Sequence, residues 1–178
     1  MKAIWSLFWQ LLALRRGPAD MPRSVPLLLS LILLNIVLSV LGQWVGNPQG
    51  WRIGLGMAGI GLVIDVVTLW ALLQFKSQPG RYVQTLTAVY AADTMLSLCA
   101  LPLLPIYLLA PAKSALLTIG FMIDMLITGW SLGVRGFIYH RSLNVGIFQG
   151  NMLSITLFLL TMLASVKLFP ELIAKAAI

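Results

Sequence analysis

Three of the five acidic residues in this chain, Asp65, Asp93 and Asp124, stand inside long apolar stretches rather than in loops. Carboxyl groups in such surroundings can relay protons, hold a cation, or hydrogen-bond one helix to another. Their neighbours add hydroxyls at helical spacing. Gly54, Ala58, Gly61, Asp65 and Thr68 alternate steps of four and three, which is one stripe of a helix. Tyr90, Asp93, Thr94 and Ser97 share an arc, and Asp124, Thr128, Ser131 and Arg135 step by four, three and four. Gly146, Gly150 and Ser154 form a seam of small residues. Together with Gly54 and Gly61, the two glycines of that seam are candidate points of close helix approach.

A charge at the centre of a bilayer costs about 2.5–3.5 kcal/mol on the insertion scale, so three carboxyl groups at that depth must face a bundle interior. Arg135 shares the face of Asp124, but eleven residues of helix separate the two by roughly 16 Å. No other basic residue is near that depth. The expected state is therefore a set of protonated aspartates, bonded to hydroxyls or to one another, because lone charges would lack a counter-ion. Two uses remain open. Interhelical glue is the favoured one, and a proton or cation pathway is the alternative.

Other chemistry lacks its parts. His140 and Cys99 are each the only residue of their type, too few for a metal centre, and His140 beside Arg141 reads as a headgroup-facing side chain. Gly54-Leu55-Gly56 opens a membrane helix rather than a strand-to-helix phosphate loop. Tyr90-Ala91-Ala92-Asp93 does not have the spacing of an intramembrane aspartyl protease. Neither an enzyme nor a cofactor is expected.

The elements that must position these residues follow from composition. Hydrophobic residues make up 60% of the chain and charged ones 10%, against about 25% charged in a soluble domain. With a mean hydropathy of +0.95, lipid must be the solvent for most of its surface. Five stretches reach the roughly 20 residues that cross a bilayer: about 25–44, 53–74, 82–110, 115–139 and 145–169. Gly46-Asn47-Pro48 and Ser77-Gln78-Pro79-Gly80 punctuate them, and Pro102, Pro105 and Pro111 kink or end the third. On these bounds Asp65, Asp93 and Asp124 lie roughly 18, 17 and 14 Å from an end of their helices, all near the midplane. Ahead of the spans, residues 1–24 form a separate segment. Lys2, Ser6 and Gln10 make a polar stripe beside Trp5, Phe8, Trp9, Leu11 and Leu12, as in an amphipathic helix lying in the membrane interface.

Basic residues outnumber acidic ones by 12 to 5, but they sit singly or in pairs at span ends and make no nucleic-acid face. Placing the N-terminus in the cytoplasm puts Lys2, Arg15, Arg16, Arg23, Lys76, Arg81, Arg135 and Arg141 inside, leaving Arg52, Lys113, Lys167 and Lys175 outside. Arg15, Arg16, Arg135 and Arg141 are then the basic set of the cytoplasmic interface. The C-terminus is external.

The sequence from Gly80-Arg81-Tyr82-Val83-Gln84-Thr85-Leu86 into a span bearing Pro102 and Pro105 resembles the Yip-domain (Rab-interacting-type) five-span family in its small bacterial form. So does Trp130-Ser131-Leu132-Gly133-Val134-Arg135-Gly136 followed by His140-Arg141-Ser142-Leu143-Asn144, and Arg15-Arg16-Gly17-Pro18 loosely matches the segment before the first span. The resemblance implies an inner-membrane protein that organises or contacts other membrane proteins or copies of itself. The expectation is thus an all-α, polytopic bundle of five transmembrane helices, with an N-terminal interfacial helix, serving as a non-enzymatic interaction module. A small transporter or conductor of protons or cations is the alternative.

Overall fold

Two spans begin where a serine caps them. The Ser24 hydroxyl accepts from the amide of Leu27 at 3.4 Å, with Pro26 just inside the first turn, and the Ser114 hydroxyl accepts from Leu117 at 3.2 Å. Helix ends are marked by left-handed residues. Leu14, Ser77 and Asn144 have φ of 59°, 55° and 53°, and the Gln78 amide returns to the Leu73 carbonyl at 2.8 Å.

The computed structural model describes residues 2–45, 50–111 and 114–170. The turn at Gly46-Asn47-Pro48, together with Lys113 and Lys175, lies outside them. The helices are α1 (Lys2–Leu12), α2 (Val25–Trp44), α3 (Gly50–Phe75), α4 (Tyr82–Ala100), α5 (Leu104–Leu109), α6 (Ala115–Leu143) and α7 (Ile147–Leu168). A 3-10 turn at Leu101–Leu103 joins α4 to α5, so Pro102 and Pro105 bend one long span without breaking it. Five helical segments are long and apolar enough to cross a membrane. The protein is an all-helical, multi-pass membrane protein, with no strand among the described residues.

Short connections force the spans to alternate in direction. Each packs against its partners in the order α2, α3, α7, α6, α4 and back to α2, which closes a ring. Glycine lets helices meet closely at Gly54 and at Gly150. A Cβ on Gly54 would sit 2.8 Å from the Ser39 carbonyl oxygen and from Val40 Cα, and the Ser39 hydroxyl donates to the Gly54 carbonyl at 3.1 Å, drawing α2 onto α3. On α7, Gly150 lies so close to α6 that its Cβ would press the Gly136 carbonyl and come 2.9 Å from the His140 nitrogen. Gly61 faces Thr161 at ordinary van der Waals distance, so no glycine is demanded there. Gly146 departs from expectation. It caps α7, its amide bonded to Gln149 Oε1 at 3.1 Å, and packs against no other helix.

The core is thickest near α1, around the first half of α4. Residues Gln84 to Ala92 are all buried there, mostly small ones such as Thr85, Ala88 and Ala91 that let neighbours approach from every side. The N-terminal helix helps to cover them. Phe8, Leu11 and Leu12 are buried in the same core, whereas Trp5 and Trp9 remain exposed. The helix is therefore docked onto the bundle rather than lying clear of it, and its third face carries the Gln10–Ser6 bond at 3.0 Å.

Candidate functional site

Three helices bring charged groups together at mid-depth. Asp65 comes from α3, Asp93 from α4 and Arg135 from α6. Arg135 Nε and Nη2 donate to the two oxygens of Asp93 at 3.0 and 2.5 Å, and its Nη1 and Nη2 donate to those of Asp65 at 3.2 Å each. One guanidinium thus makes two forked, charge-assisted contacts, the geometry arginine offers and lysine does not. The side chains are 4% exposed at Asp65, 15% at Asp93 and 20% at Arg135.

This overturns two expectations. Arg135 does not belong to the interface with Arg15, Arg16 and Arg141, and Asp65 and Asp93 do not lack a basic partner. Backbone depth alone hides the pairing. Helical side chains lean toward their helix N-terminus. Since α4 and α6 run in opposite directions, Asp93 leans toward the α1 face of the bundle while Arg135 leans away from it, and their heads meet between backbones at different depths. The premise for protonated aspartates fails for this pair.

Asp124 stands apart from the triad and makes no ion pair among the described residues. It lines a cavity of about 380 Å³ inside the ring, with Asn35, Ser39, Asp93, Ser97, Thr128 and Ser131 among the walls. A second cavity of about 290 Å³ shares Ser97 and Asp124 with the first and continues past Gln43 and Leu104 to Tyr107, on the side away from α1. In the other direction the triad is sealed. Leu69, Leu73, Val89, Ile138 and Tyr139 are essentially fully buried between it and the α1 face. The polar centre is thus closed on the α1 side and borders the cavity at Asp93.

The remaining hydroxyls divide between two settings. Ser97, Thr128 and Ser131 line the cavity beside Asp124. Tyr90 and Thr94 are buried on α4 outside its walls, and the Thr94 hydroxyl is without a hydrogen-bond partner. Thr68, a turn beyond Asp65, is half-buried and lines neither cavity. Asn35 and Ser39 on the first span were not anticipated. Asn35 is the one side-chain amide in the middle of that span, which was the available signal. His140 is half-buried, with Nδ1 against the Val145 carbonyl at the end of α6.

Charge decides what this arrangement can hold. Asp93 and Asp124 are the acidic residues of the cavity wall, and Arg135 is shared between Asp93 and Asp65, so the wall carries an excess of acid and favours a proton or a cation over an anion. Among the described residues no group of three or more His, Cys, Asp or Glu side chains could bind a metal ion. Compared with family models, with curated proteins and with solved structures, the chain matches none.

Proposed function

We propose that the protein is a non-catalytic membrane module whose central cleft takes up a proton or a small cation between Asp124 and the Asp93–Arg135–Asp65 triad. A single observation carries this reading: Asp124, without an ion-pair partner among the described residues, shares a cavity wall with Asp93 at mid-depth in the bundle. A lone carboxyl group held there at a cost of a few kcal/mol is retained more readily for exchange with a ligand than for packing. Arg135 holds the two other aspartates in place, leaving the Asp93 edge and Asp124 to face the cleft.

Thiol labelling tests the cleft. In a Cys99→Ala background, Ser97→Cys and Ser131→Cys should react with a membrane-impermeant reagent at fixed pH, and added sodium should slow the reaction there but not when Asp124→Asn is also present. Labelling of neither cysteine, or protection that survives Asp124→Asn, sinks the reading.

A second reading, an organising module of the Yip-domain type in a bacterial inner membrane, is supported by the docked α1 with its exposed Trp5 and Trp9. The α1 face also gathers Arg15, Arg16, Arg23, Lys76, Arg81 and Arg141, which supports a cytoplasmic N-terminus and an external C-terminus. A reporter fused at Gly80 should then read cytoplasmic.

A further inference from the structure

At the α1 end of the bundle, far from the cleft, a third cavity of about 620 Å³ is lined by Arg15, Arg16, Arg81, His140, Arg141 and Asn144, together with the loop 17–20. Four arginines there face one aspartate, Asp20, which Arg16 engages at 3.4 Å. The walls are fixed by contacts that a loose basic patch would not have. Gln84 Nε2 donates to the carbonyls of Ala19 and Met21 at 3.2 and 2.9 Å, tying the loop to α4. Arg81 Nη1 donates to the carbonyls of Arg141 and Ser142, both at 3.5 Å, and the Arg141 guanidinium lies 5.4 Å from the centre of the Phe137 ring. Beneath them the Thr85 and Ser142 hydroxyls are hydrogen-bonded to each other at 2.9 Å, locking α4 to α6.

We infer that this pocket binds the phosphate of an anionic phospholipid headgroup. Arginine forks match phosphate oxygens in pairs, and basic pockets between membrane helices are suited to acidic lipids. Location separates a lipid from a soluble phosphate. The pocket lies at the level where α4 begins and α6 ends, so a headgroup seated in it keeps its acyl chains along the spans. Apolar side chains beside it are already turned outward: Leu14 precedes Arg15, and Ile147 and Phe148 follow Asn144, all three exposed. Trp5 and Trp9 on α1 supply the amphipathic aromatic rings that sit at headgroup depth.

Native mass spectrometry of the full chain in detergent, with phosphatidylglycerol and phosphatidylcholine competing, tests the inference. The parent should retain phosphatidylglycerol preferentially. Each arginine removed near a membrane surface should weaken that preference about fivefold, so Arg15→Gln with Arg16→Gln should lower it about twenty-five-fold. That pair touches only exposed partners and leaves the fold intact; Arg81→Gln with Arg141→Gln should have the same effect, with the melting temperature in phosphatidylcholine as a check on folding. Equal retention of the two lipids by the parent, or an unchanged preference in the Arg15/Arg16 double variant, overturns the inference. Displacement of the lipid by millimolar inorganic phosphate would reassign the pocket to a soluble phosphate ligand and overturns it equally.

Discussion

Replacing Arg135 by methionine is the most demanding perturbation of this bundle, because one side chain holds two carboxylates. Its loss removes four hydrogen bonds and strands Asp65, at 4% exposure, and Asp93, at 15%. Stranding one buried partner of an ion pair costs about 3–5 kcal/mol. With two carboxylates left facing each other, Arg135→Met should fall at the upper end of that range. Asp65→Asn is milder. It leaves Asp93 paired and keeps an acceptor oxygen for Arg135, so about 1–3 kcal/mol is expected. Arg135→Lys keeps the charge but not the double fork, and should fall between the two. The decisive variant combines Asp65→Asn, Asp93→Asn and Arg135→Met. With no charge left to strand, it should recover to within about 1 kcal/mol of the parent, since buried ion pairs replaced by neutral groups are often close to neutral in stability. Unfolding in detergent, followed by circular dichroism against denaturant, gives all four values. If Arg135→Met costs less than about 1 kcal/mol, the triad is not a closed ion cluster at all. If the neutral triple variant is as unstable as Arg135→Met, packing of the long side chain rather than charge explains its place.

Two further outcomes follow from the packing. Gly150→Ala and Gly54→Ala put a methyl group into a neighbouring backbone and should each cost about 1–3 kcal/mol, whereas Gly129→Ala and Gly133→Ala meet nothing within 4 Å and should be neutral or stabilising by up to about 1 kcal/mol; the same denaturant curves decide, and equal effects in both sets would show that the helices do not approach as described. Leu11→Ala removes a fully buried side chain from α1 and should cost about 2–5 kcal/mol, while Trp9→Ala, exposed, should leave unfolding in detergent nearly unchanged. A silent Leu11→Ala would mean that α1 does not dock on α4.

The number of spans, their approximate ends, the proline bend after Ala100 and the small-residue approach at Gly54 and Gly150 were all legible in the sequence. Each is a local property: length of an apolar run, a fixed φ, a missing Cβ. Gly146 misled because the same residue type serves a cap as well as a seam, and only the neighbours of α7 distinguish the two. The central position of α4 was hidden for a related reason. Its threonines and alanines are no more apolar than those of a surface span, and what buries them is the arrival of α1 and the loop 17–20 from far away in sequence.

Arg135 shows most clearly why depth along a helix is an incomplete coordinate. Counting to an expected span end at residue 139 placed it near the α1 face, but α6 continues to Leu143 and sets its backbone about a turn deeper. The length and lean of the side chain carried its charge to the aspartates. The same reasoning separates Asp124 from the triad. It sits eleven residues before Arg135 on the same helix, roughly 16 Å away along the axis, and the forks to Asp65 and Asp93 hold the guanidinium off it. No arginine conformation on α6 can bridge that gap while the forks to Asp65 and Asp93 are held. The geometry that satisfies two aspartates is therefore what leaves the third facing the cavity, and the cleft owes its acidic character to the way the ion cluster is built.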